Sequence, residues 1–158
     1  MSLMHKIRCY HAALAILTLL AYISGDFGTI HDWLGYAVGI IIVLRLGWAV
    51  VNPRQLGLNR FYAHFEGLDW SNALSHPAIS KSLILAVAVT VILATVTGLM
   101  TLGEGGHVFE DIHEALSGLV IWAVVLHGAY LYLMKRPLAR FMLYRDDPTK
   151  IRRKTAAR

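Results

Sequence analysis

The chain has 158 residues, of which 56% are hydrophobic and 16% charged, with a net charge of +5 and a single cysteine. A mean hydropathy of +0.53 is too apolar for an ordinary soluble domain and indicates one membrane-embedded unit over residues 1–158. The lone Cys9 excludes an internal disulfide, and the basic residues flank apolar runs, where membrane orientation explains them better than nucleic acid.

Met1–Arg8 is short and basic, with Lys6 and Arg8. The first apolar run, about 9–24, carries His11 near its start. It lacks a small-residue cleavage site and more spans follow, so it reads as a retained span. Gly25–Ile30 is a tight Gly/Asp turn. The second span, about 31–51, opens on His31 and holds Arg45 towards its end. Asn52–Lys81 is the longest connection; Pro53 breaks the helix, and Arg54, Arg60 and Lys81 make the segment positive. Its middle, RFYAHFEGLDW, mixes aromatic and polar residues in the way of an interfacial segment. The third span, about 82–102, has no charge and no histidine, and the turn after it carries Glu104, Glu110 and Asp111. The fourth span, about 112–134, contains His113 and His127, and residues 135–158 form a basic tail.

The expected fold is therefore all-α, a four-helix transmembrane bundle. Basic residues crowd the N-terminus, the middle connection and the tail, whereas the two short turns are acidic. By the positive-inside rule both termini face the cytoplasm.

That topology assigns each histidine a depth. His113 and His127 are 14 residues apart, about 40° short of four full turns, so their rings leave one face about 21 Å apart along the axis. Ionisable residues inside a span are costly. His31 opens span two on the outer side and His11 lies at the inner end of span one. The four sort into an outer pair, His31 with His113, and an inner pair, His11 with His127.

Two facing imidazoles leave a gap that suits a haem with one ring on each side of the iron. A zinc or copper site wants three or four ligands, with sulfur or carboxylate that the span interiors lack. No Cys-x-x-Cys-His is present for covalent attachment. Gly35, Gly39, Gly118 and Gly128 lie close to the histidines and leave room for a macrocycle, although small residues also serve plain helix packing. Arg45 lies 14 residues after His31, on the same face at inner depth. It either meets a haem propionate or snorkels to the cytoplasmic headgroups. His5 and His107 fall in flanks or loops; His64 and His76 lie in the middle connection, where an exposed histidine is usually polar surface, and a quinone headgroup near that surface could use one of these two.

The chain resembles the prokaryotic cytochrome b561 family, which includes the b-type cytochrome subunits of nickel–iron hydrogenases. The resemblance rests on Arg8-x-x-His11, His31-x-x-x-Gly35 and Arg45, on His76-Pro77 before span three and Thr97-Gly98 closing it, and on IHE…LHG in span four. It implies a four-helix bundle holding two non-covalent b haems. The ligands it implies are His11, His31, His113 and His127, as metal (iron) ligands, with Arg45 among the cofactor-binding residues. Ala12 stands where the family often has tryptophan, and Ser24-Gly25 where a Thr-Gly often closes span one.

The expected function is transmembrane electron transfer in a respiratory chain of the bacterial inner membrane. Electrons would pass between the quinone pool and a redox partner, such as a periplasmic c-type cytochrome or a hydrogenase. The chain would act as an electron-transfer subunit of a quinone-linked oxidoreductase rather than a stand-alone enzyme, the cofactors carrying the chemistry. Two readings stand beside it: a histidine-based proton or metal-ion transporter, and a haem-free membrane anchor.

Overall fold

A computed structural model describes residues 3–52, 63, 65–69, 71, 73–103 and 106–144. Its helices are α1 (Leu3–Ile23), α2 (Thr29–Val51), α3 (Pro77–Met100), α4 (Gly106–Met134) and α5 (Arg136–Tyr144). Among the described residues there is no strand. The first four helices are each long and apolar enough to cross a bilayer; the 23 residues of α2 run about 35 Å. Pro53, Arg54, Arg60, His64, Glu104 and residues 145–158 lie outside the described residues.

The helices extend beyond the apolar runs. Helix α1 begins at Leu3 rather than near residue 9, α3 at Pro77 rather than near 82, and α4 at Gly106 rather than near 112. An apolar run marks only the stretch that needs lipid, whereas backbone hydrogen bonding continues into polar flanks. Lys81, Glu110 and Asp111, read above as connection residues, therefore stand on helices. Within the basic tail, after a break at Lys135, nine residues form the short helix α5.

Each helix end has a local cause. After α1 the backbone makes a 3-10 turn over Gly25–Phe27 and then reaches φ 48° at Gly28, a left-handed value that favours glycine. Ser24 is buried and its Oγ donates to the Ala21 carbonyl at 3.0 Å, satisfying one of the orphan carbonyls of a helix terminus. Pro77 occupies the first turn of α3, where its missing N–H costs nothing. His76 caps that helix, its Nδ1 accepting from Ala78 N–H at 3.2 Å, while its Nε2–H donates to the Glu66 carbonyl at 3.2 Å. The ring is thus used on both nitrogens by the backbone.

Short turns make antiparallel neighbours of α1 with α2 and of α3 with α4, and the two hairpins meet along α2 and α3. At that seam a Cβ on Gly39 would lie 3.1 Å from Cγ2 of Thr95, so the glycine lets the helices approach. The core is Val38, Val91, Ala94 and Val120, flanked by Leu14, Leu17, Ile42, Val87 and Leu116. Most other large apolar side chains point outward, as expected where lipid is the solvent.

Basic side chains gather at one end of the bundle. Lys6 Nζ sits 5.8 Å from the Trp48 ring centre, and Lys135 Nζ donates to the Ser75 carbonyl at 3.3 Å. Arg8 Nε–H donates to the Met142 carbonyl at 3.1 Å, and its guanidinium lies 6.0 Å from the Phe141 ring centre. Ala139 and Phe141 of α5 are buried there.

Candidate functional site

Helices α2 and α4 run in the same direction, each after a short turn. On α2 the positions His31, Val38 and Arg45 follow at intervals of seven, as do His113, Val120 and His127 on α4. Seven residues are nearly two turns, about 10.5 Å, so each set lies on one slowly drifting stripe. His31 and His113 face each other with ring centres 5.8 Å apart. Arg45 and His127, equal distances further along parallel helices, are therefore level with each other. Val38 and Val120 meet midway in the apolar core.

At the level of His127 stands His11 on α1, with ring centres 6.4 Å apart and planes inclined at 36°. Thus the structure brings together His31 with His113 and His11 with His127, at two depths separated by an apolar layer. Arg45 is half-buried on α2. His107 is on the surface at the other end, 3.7 Å from Glu110, a pair worth little energetically.

The His31–His113 pair is held in place by backbone carbonyls. His31 Nδ1–H donates to the Ala21 carbonyl at 2.8 Å. His113 Nδ1–H donates to the Ala94 carbonyl at 2.9 Å, with Thr97 Oγ1 3.5 Å from the same nitrogen. A carbonyl can only accept, so both rings carry their proton on Nδ1 and keep Nε2 free as a ligand. Gly98 completes the pocket: a Cβ there would lie 2.9 Å from Cε1 of His113. On the other pair, His127 Nδ1 is buried without a hydrogen-bond partner among the described residues, as are Tyr130 OH and Thr18 Oγ1.

These pairs fit a metal ion held between two imidazoles. Each pair brings two imidazoles together, with ring centres 5.8 and 6.4 Å apart, and imidazole is a common ligand of haem iron. Among the described residues no group of three or more His, Cys, Asp or Glu could hold a metal. A Cβ built on Gly35, Gly118 or Gly128 meets nothing within 4 Å, and Gly128 is exposed. Gly39, expected to make room for a macrocycle, instead serves the α2–α3 seam.

The backbone acceptors Ala21 and Ala94 carry no signal in the sequence, because their side chains play no part. Gly98 had a faint one, in the Thr97-Gly98 pair.

A family model described as prokaryotic cytochrome b561 matches residues 5–145. No curated protein and no solved structure matches the chain.

Proposed function

The chain belongs to the prokaryotic cytochrome b561 family; it is a multi-pass membrane b-type cytochrome of electron transfer, and from that premise we propose that it carries electrons across the bilayer through two bis-histidine sites. One b haem is held by His31 and His113, the other by His11 and His127. The observation that carries this reading is the pair of ring separations, 5.8 and 6.4 Å, at two levels of one bundle. A metal-ion pathway would need more donors per site than two, and a plain anchor has no use for matched ring pairs.

When bound, b haem supplies one-electron chemistry; the protein supplies position and surroundings. The Ala21 and Ala94 carbonyls orient the rings of His31 and His113 and fix their tautomer. Gly98 admits the His113 ring. Val38, Val91, Ala94 and Val120 form a layer without a titratable group, which excludes water between the sites. Arg45, level with His127, offers a guanidinium to an inner propionate. The end bearing Lys6, Arg8, Lys135 and Arg136 faces the cytoplasm of a bacterial inner membrane, with quinone and an outer redox protein as exchange partners; the acidic outer turns would steer a basic one.

The direct test is an absorption spectrum of the purified protein with a haem count per chain and an acid–acetone extraction. Two extractable b haems are expected. A colourless protein would sink the reading.

A further inference from the structure

The last turn of α4 and the short helix α5 border a cleft of about 320 Å³, lined by Tyr132, Arg136, Ala139, Arg140 and Leu143. Arg136 and Arg140 are one helical turn apart and so share a face of α5. Both are exposed, and neither has a hydrogen-bond or ion-pair partner among the described residues. From Ala115 to Tyr144 the chain contains no Asp or Glu. Two cations a turn apart repel each other and gain from an anion shared between them. Arg8 and the buried Ala139 and Phe141 hold α5 against the bundle, so the two guanidiniums are carried on a fixed support beside Tyr132.

The place of the cleft identifies the anion. The fourth span ends at Met134, so Tyr132 and α5 stand at the level of the lipid headgroups. Tyr132 is five residues after His127, about 140° around α4, and is 64% exposed. The cleft therefore faces the lipid and not the His11–His127 pair. Leu143 is 66% exposed, which gives α5 an apolar edge beside its charged one. A phosphate ester with an acyl tail satisfies both. We propose that the cleft binds an anionic phospholipid, its phosphate between Arg136 and Arg140 and its glycerol and first acyl carbons on Ala139 and Leu143. Arginine forks match pairs of phosphate oxygens, and the Tyr132 hydroxyl can donate to another. The site is independent of the histidine pairs.

The test is native mass spectrometry of the purified chain in detergent, titrated with phosphatidylglycerol or with phosphatidylcholine. One retained phosphatidylglycerol per chain is expected, bound about tenfold more tightly than phosphatidylcholine. Arg136→Gln and Arg140→Gln should each weaken it about fivefold, the loss of one basic group beside an anionic headgroup. Both positions are exposed, so the variants should keep the helix content of the unaltered chain. Lys6→Gln, at the same end but outside the cleft, should leave the binding unchanged. Equal affinity for the two lipids, or an equal loss in Lys6→Gln, would overturn the site in favour of general surface charge. If the carboxylates of Asp146 and Asp147 occupied the arginines instead, neither arginine variant would change lipid binding, and the proposal would fall. Complete displacement of the lipid by inorganic phosphate would reveal an anion site with no need of an acyl chain, which also overturns it.

Discussion

Arg8 reaches across the basic end of the bundle to the backbone of Met142, its Nε–H 3.1 Å from that carbonyl oxygen. One guanidinium so ties the first helix to the last, and the same group lies against the Phe141 ring. A hydrogen bond from a charged donor contributes about 1.5–3 kcal/mol, and much of the docking of so short a helix rests on it. Arg8→Leu should release α5 while leaving the transmembrane helices folded. Limited trypsin digestion in detergent would show faster cleavage after Lys135 and Arg140 with unchanged helix content. Equal cleavage rates would mean that Ala139 and Phe141 hold α5 without help.

His76 is predicted to act as a helix cap rather than a quinone ligand, because both ring nitrogens are occupied by Ala78 N–H and the Glu66 carbonyl. Removing a cap costs about 1 kcal/mol, so His76→Ala should lower Tm by roughly 2–4 °C. His76→Asn restores a capping acceptor and should recover part of that loss. Electron exchange with a quinone analogue should be unchanged in both; a selective loss of that exchange would return His76 to the quinone.

Much of this arrangement was legible in the residues. The spacing of 14 between His113 and His127, and between His31 and Arg45, already implied two levels on each helix, because helical periodicity needs no tertiary information. Charge asymmetry placed His11 and His31 at opposite depths, since lipid sorts basic residues by side. What stayed hidden depends on backbone atoms or on shape. The carbonyls of Ala21 and Ala94 look like those of any other alanine. The short distance from Gly98 to His113 arises only once α3 and α4 pack. Helix α5 is hidden in the sequence because its nine residues are too few to span a bilayer, and amphipathic docking depends on a partner surface that Arg8 and His5 help to make.

Both termini are predicted to face the cytoplasm, because the fold collects basic residues at one end. A reporter fused after Arg158 should be active only in the cytoplasm. Periplasmic activity would invert the depths assigned to both histidine pairs, although not the pairs themselves.

Arg45 should matter for the His11–His127 site alone, since it shares that level and not the other. A positive charge near the iron favours the reduced state, so Arg45→Leu should lower the potential of that site or loosen its haem. Arg45→Lys, which keeps the charge but loses the planar fork, should retain more of the potential than of the haem affinity. If spectrum, haem content and both potentials are unchanged, the guanidinium serves the headgroup region instead.

The pairing itself is open to the strictest test. If one haem lies between His11 and His127, removing either ring should abolish that haem and leave the other in place. His31→Ala and His113→Ala should match each other in the same way. Distance keeps the two levels apart: His113 and His127 are about 21 Å apart along α4, and a helix can slip by about one turn, near 5 Å, not by four. His11 therefore has no route to the level of His113, nor His31 to that of His127. Haem binding stabilises the folded bundle, so variants should be compared after growth with added haem, and each scored by its haem count, spectrum and remaining potential. Four variants falling into two matched pairs is the expected result, with His11 beside His127. A match between His11→Ala and His113→Ala would break the assignment, whatever the total haem content.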